Sequence, residues 1–178
     1  MGSLNASLWF NSVIALAITP AIAKVINILT AGELNTMSQF MGFIKQNDMM
    51  IVSGILFIIS YIVAILGNIS ASLNKENCNR YDIKSALLNS IKVPIFVWVG
   101  YMLGVLLPVF QEPWINLLSG AFEKIPGLIE MLPYIVGGFV AMCLSWLGTA
   151  LSYFSYIQTT CVPNDEHIMK NGAKQDNN

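Results

Sequence analysis

Residues 49–69, MMIVSGILFIISYIVAILGNI, run for 21 residues without a charge. An α-helix rises 1.5 Å per residue, so this run covers about 30 Å, the thickness of a bilayer's hydrocarbon core. Backbone N–H and C=O groups find no water at that depth, so such a run crosses as a helix. Two further stretches have the same character. VPIFVWVGYMLGVLLPVF, residues 93–110, carries Pro94 near its start and Pro108 near its end. PYIVGGFVAMCLSWLGTALSYFSYI, residues 133–157, is long enough to cross with some tilt. The expected fold is therefore all-α: a polytopic membrane protein with three clear transmembrane helices and a candidate fourth at the N-terminus.

Composition agrees. The 178 residues are 55% hydrophobic and 11% charged, against about 25% charged in soluble domains. A soluble core of this size cannot hide so much apolar surface, so the first partner is a lipid bilayer. Net charge is −1, which gives no electrostatic footprint for nucleic acid.

The candidate fourth helix lies in residues 8–31, LWFNSVIALAITPAIAKVINILTA. It is long enough to span, but Asn11, Pro20, Lys24 and Asn27 interrupt it. A mid-helix Lys costs about 2.5–3.5 kcal/mol on insertion scales. A span and an interfacial or partner-bound helix both remain open for this segment. Residues 35–47 form an amphipathic pattern, with Met37, Phe40, Met41 and Ile44 at i, i+3, i+4, i+7. Residues 113–125 repeat it: Trp114, Leu118, Phe122 and Ile125 share one face, and Pro113 suits the first helical turn. Such helices lie in the headgroup region or pack on protein. The domain reading is an N-terminal apolar and amphipathic segment (1–48), a transmembrane core (49–157) and a polar tail (158–178).

The loop after the first clear span holds Lys75, Arg80, Lys84 and Lys92, four of the nine Lys and Arg. Residues 111–132 hold only Lys124, with Glu112, Glu123 and Glu130. Short basic loops stay on the cytoplasmic side. That rule puts residues 70–92 and the tail inside, and residues 111–132 outside. Asp82 is placed to cap a helix starting at Ile83, in which Ile83, Leu87 and Ile91 line one face. That helix would form an elbow at the headgroups and a docking surface for partners. Cys78 and Cys161 fall on the same side and could form a disulfide, although cytosolic thiols are normally reduced. Asn68-Ile69-Ser70 matches the glycosylation sequon, but it abuts a span on the inner side and should be unused.

The last span carries Gly137, Ala141, Ser145 and Thr149 at four-residue steps, and the second clear span carries Gly100 and Gly104. Small residues at this spacing let helix backbones approach closely. These stripes are expected to pack on each other or on copies of themselves in a homo-oligomer.

No nucleophile elbow, phosphate loop, dinucleotide fingerprint or HExxH occurs, and the only histidine, His167, lies in the tail. The three clear spans contain no Asp, Glu, Lys, Arg or His, groups that proton relays and ion paths normally need. The expectation is a non-enzymatic protein without metal or cofactor. Gly2 is positioned for myristoylation, but Ala6 stands where Ser or Thr is expected.

The run NCNRYDIKSALLNSIKVPIFVWVGYMLG, residues 77–104, resembles multi-span virion proteins of large icosahedral double-stranded DNA viruses. The shared feature is a short polar loop bearing Cys and Asn, then an elbow helix, then a kinked span that begins near a proline. The resemblance implies a structural protein of the virion inner membrane, tied to capsid or coat proteins through residues 77–92. Other expectations are an accessory subunit of a larger membrane complex, a membrane-shaping protein, or an oligomeric pore or carrier.

Overall fold

The computed structural model describes residues 2–31, 47–73, 82–122, 124 and 128–160. The described residues contain helices and no strand. Helix α1 (Gly2–Val13) leads through a π-helical turn (Ile14–Ile18) into α2 (Thr19–Ala31). Then come α3 (Asp48–Leu73), α4 (Ile83–Ser90), α5 (Lys92–Leu106), α6 (Pro108–Phe122) and α7 (Leu128–Thr160).

Four stretches are long and apolar enough to cross a membrane: Asn5–Leu29, Asp48–Ser70, Ile83–Leu106 and Met131–Thr159. The N-terminal segment left open by the sequence thus joins the bundle as a full-length helix. Pro20 explains its π turn. Proline lacks the N–H that would bond the carbonyl of Leu16, and its ring crowds that carbonyl. The wider turn over Ile14–Ile18, just before Pro20, relieves the crowding. Thr19 and Ser12 donate back to Ala15 O (2.5 Å) and Leu8 O (2.7 Å), so their hydroxyls are satisfied within the helix.

The third span differs from the expected 93–110. It starts earlier, at Ile83, and stops at Leu106. The residue before a proline avoids the helical region, and Leu107, before Pro108, is extended (φ −96°, ψ 114°). Pro108 then opens α6, so this helix starts there rather than at Pro113, which falls inside it. Pro108 has no N–H for the carbonyl of Gly104. The Gln111 side chain compensates, donating to Val105 O at 2.7 Å and Gly104 O at 3.4 Å. Upstream, the helix breaks at Ile91, three residues before Pro94, whose missing N–H leaves Ser90 O without its helical donor. The last span begins at Met131 within α7, so Pro133 also lies inside a helix.

The bundle is apolar outside and mixes polar with apolar residues inside. Ile58 and Leu66 in α3 are 60% and 59% exposed, and Trp9, Phe10, Ile28 and Phe154 also face outward. Meanwhile Asn11, Ser60, Asn68, Ser90, Ser145, Thr149 and Ser152 are buried beside Val52, Leu56, Val93, Val97 and Tyr101. Apolar residues packed against lipid gain nothing by going inside, and buried hydroxyls and amides can bond between helices. The most extensive helix contact is α5 on α7, with α1 also on α7 and α5 on α3. The amphipathic pattern at 35–47 lies outside the described residues, apart from Asn47.

Candidate functional site

The small-residue stripes meet. A Cβ placed on Gly100 would come within 2.7 Å of Ala141 Cα, and one on Gly104 within 2.5 Å of Gly137 Cα. About two helical turns beyond Ala141, Gly148 lies against Val93 and Phe96 of α5. Gly138, beside Gly137, faces the other way: its Cβ would meet the Ala15 carbonyl at 2.9 Å. Helix α7 is therefore the hub, pressed by α5 on one side and by the π turn of the first span on the other. Ser145 and Thr149 continue its stripe. Thr149 Oγ1 accepts from Asn11 Nδ2 at 3.2 Å, and Ser145 is fully buried with no hydroxyl partner among the described residues.

A second set of contacts crosses the bundle. Asn68, near the end of α3, donates to Ser90 Oγ at 2.7 Å and to Ser152 Oγ at 3.0 Å. One amide thus joins α3, α4 and α7. Asn11 adds the first span, bonding Ser7 O at 3.0 Å as well as Thr149. The space between Ser7, Gly67, Asn68, Thr149 and Ser152 has no room for a water molecule. Neutral amides do not take protons, so Ser90 and Ser152 are held rather than activated as nucleophiles. Asn68 is 3% exposed, so a glycan on it would not fit the folded bundle.

The basic end is ordered around α4. Asp82 caps it, accepting from Lys84 N at 3.0 Å and from Ser85 Oγ at 2.8 Å. Lys84 is exposed. Ile83, Leu87 and Ile91 face outward, and the buried positions are Ala86 and Ser90. Lys92 Nζ donates to Ser155 Oγ at 2.6 Å, and Asn89 Nδ2 to Thr159 Oγ1 at 3.3 Å. Both bonds tie the start of the third span to the end of the fourth. Lys75, Cys78, Arg80 and Cys161 lie outside the described residues, as does the region upstream of Asn47 that contains Glu33. Gly2 is the first residue of α1.

At the opposite end the Tyr134 hydroxyl donates to Asp48, whose other oxygen accepts from Met49 N at 2.6 Å. That bond fixes the start of α3 to α7. A cleft of about 280 Å³ opens between α3 and α5, lined by Met50, Ser53, Gly54, Phe57, Trp98 and Met102. Cys143 is a free thiol on the outer face of α7. Among the described residues no three His, Cys, Asp or Glu gather as metal ligands.

Asn68, Ser90, Ser152, Asn89, Ser155, Asp48 and Tyr134 were not singled out as site residues from the sequence. One signal was available: an amide inside an apolar run needs a partner, because unpaired polar groups are costly in hydrocarbon. No protein-family model matches the chain, and no curated protein or solved structure matches it either.

Proposed function

We infer that the protein is a non-enzymatic membrane scaffold that anchors a protein shell to a bilayer, as in a virion inner membrane. The observation that carries this reading is the pair of bonds Lys92–Ser155 and Asn89–Thr159. They clamp the α4–α5 junction, one short helix beyond the basic loop, to the end of α7 from which the polar tail emerges. A loop and a tail leaving one braced platform suit the task of holding an external partner in place. The positive-inside rule assigns that platform to the cytoplasmic side. The close interior also favours a static role, since Asn68, Ser90 and Ser152 bond one another and leave no room for water beside them. The test is a gentle-detergent pull-down of the full-length protein from its native source, read by quantitative mass spectrometry. Stoichiometric recovery with capsid or coat proteins is the expected result, and recovery of the chain alone overturns it.

A second reading is an accessory subunit of a larger membrane complex. The cleft beside Met50, Gly54, Phe57 and Trp98 favours it, because a neighbouring helix could seat there. Recovery with redox or translocation subunits in the same experiment would select this reading.

A further inference from the structure

Lys92 is a half-buried ammonium with neutral partners. Its Nζ donates to Ser155 Oγ at 2.6 Å and to Asn89 Oδ1 at 3.3 Å. Neither partner carries charge, so these bonds aim the ammonium without neutralising it. An ammonium has three N–H donors, and two are used. Asn89 is itself fixed, donating to Ser85 O at 2.9 Å and to Thr159 Oγ1 at 3.3 Å. Ser155 accepts from Lys92 and keeps its own hydrogen to give. Among the described residues one N–H of Lys92 and the O–H of Ser155 are thus left as two donors beside one positive charge.

The depth of this pair identifies the anion. Helix α5 is 15 residues long, so Lys92 stands about 21 Å along the axis from its far end. Ser155 lies one helical turn before Thr159, the last residue of the fourth span. The ammonium, aimed at Ser155 about 6 Å before that end, reaches the headgroups by snorkelling. The anion abundant at that depth is a lipid phosphate. On the hydrocarbon side of the pair, Ile95 and Leu151 are exposed by 46% and 41%. Their outward apolar surface suits acyl chains below a bound headgroup.

We propose that Lys92 and Ser155, braced by Asn89 and Thr159, form a binding site for the phosphate of an anionic phospholipid. The site takes its energy from one charge and two donors. Its preference over a zwitterionic lipid should be about fivefold, as expected for one basic residue at an anionic surface.

The test uses the full-length protein in detergent and native mass spectrometry, with phosphatidylglycerol and phosphatidylcholine titrated separately. Wild type should retain one phosphatidylglycerol about fivefold better than phosphatidylcholine. Lys92→Gln and Ser155→Ala should reduce that retention to the phosphatidylcholine level. Lys92→Arg should keep it, and Lys84→Gln, which alters an exposed charge outside the cluster, should leave it unchanged. Circular dichroism on each variant separates loss of the site from loss of the fold. If Lys92→Gln fails to fold, Ser155→Ala and Lys92→Arg decide. Equal retention of the two lipids by wild type overturns the proposal, as does full retention by Lys92→Gln or Ser155→Ala. A separate arm adds millimolar inorganic phosphate. Persistence of the bound lipid supports a headgroup site, whereas its displacement assigns the pair to free phosphate and overturns the lipid source.

Discussion

Gly104 and Gly137 meet backbone to backbone: a Cβ on Gly104 would stand 2.5 Å from Gly137 Cα and 2.9 Å from the Val136 carbonyl. No flexible side chain is available to yield there. Gly104→Val should force α5 and α7 apart and cost about 1–3 kcal/mol, as overpacking does. Gly54 provides the contrast, since nothing lies within 4 Å of its would-be Cβ. Gly54→Ala should stabilise α3 by about 0.5–1 kcal/mol through the helical preference of alanine. Unfolding in mixed micelles, followed by circular dichroism, should move the two variants in opposite directions. A Gly104→Val protein as stable as wild type would mean that this contact does not hold the bundle together.

The Asn68 amide makes two buried bonds to two different helices. Asn68→Leu should therefore destabilise the protein by about 0.6–1.7 kcal/mol, the range of polar contacts between membrane helices. The more informative experiment is a cycle with Ser152→Ala. If the two side chains act as one contact, the double variant should lose less than the sum of the single ones. Strict additivity would show that Ser152 contributes independently of Asn68.

The sequence made some of this architecture legible and hid the rest for physical reasons. Gly100, Gly104, Gly137 and Ala141 were readable because small residues at four-residue spacing form a local pattern. Their mutual contact follows from there being two such stripes. The Asn68–Ser152 bond was not readable, because its partners are 84 residues apart and nothing local pairs them. The extent of the third span is not legible from Pro94 and Pro108 alone. Each proline ends or breaks a helix, but which residue turns depends on neighbours such as Gln111 that satisfy the freed carbonyls. The spacing of Ile83, Leu87 and Ile91 puts them on one face. That this face looks outward, leaving Ala86 and Ser90 inside, reflects lipid as the solvent and the demand of Ser90 for a hydrogen-bond donor.

Asp82 caps α4 with both carboxylate oxygens, one on Lys84 N and one on Ser85 Oγ. Asp82→Ala should cost about 1 kcal/mol, the usual price of losing an N-cap. The loss should be local, because α4 is only eight residues long and is held elsewhere by Ala86 and Ser90. Hydrogen exchange should quicken at the first amides of α4 and stay unchanged across α7. Asp82→Asn, which keeps an acceptor oxygen, should restore most of the protection.

Four crossings make a prediction that three do not. If the first span crosses, its start lies on the same side as α4 and the end of α7, and α6 lies on the other. If it lay flat, its start would remain on the side of α6, because α3 begins there. Asn5, Lys84, Ser119 and Gln158 are all exposed and suit single-cysteine replacement in a cysteine-free background. In sealed vesicles an impermeant maleimide should label Asn5→Cys, Lys84→Cys and Gln158→Cys as one group, and Ser119→Cys from the opposite face. Labelling of Asn5→Cys together with Ser119→Cys would reduce the bundle to three crossings. In the wild-type protein the outward thiol of Cys143 should resist the same reagent in vesicles, because lipid covers the face that the bundle leaves open.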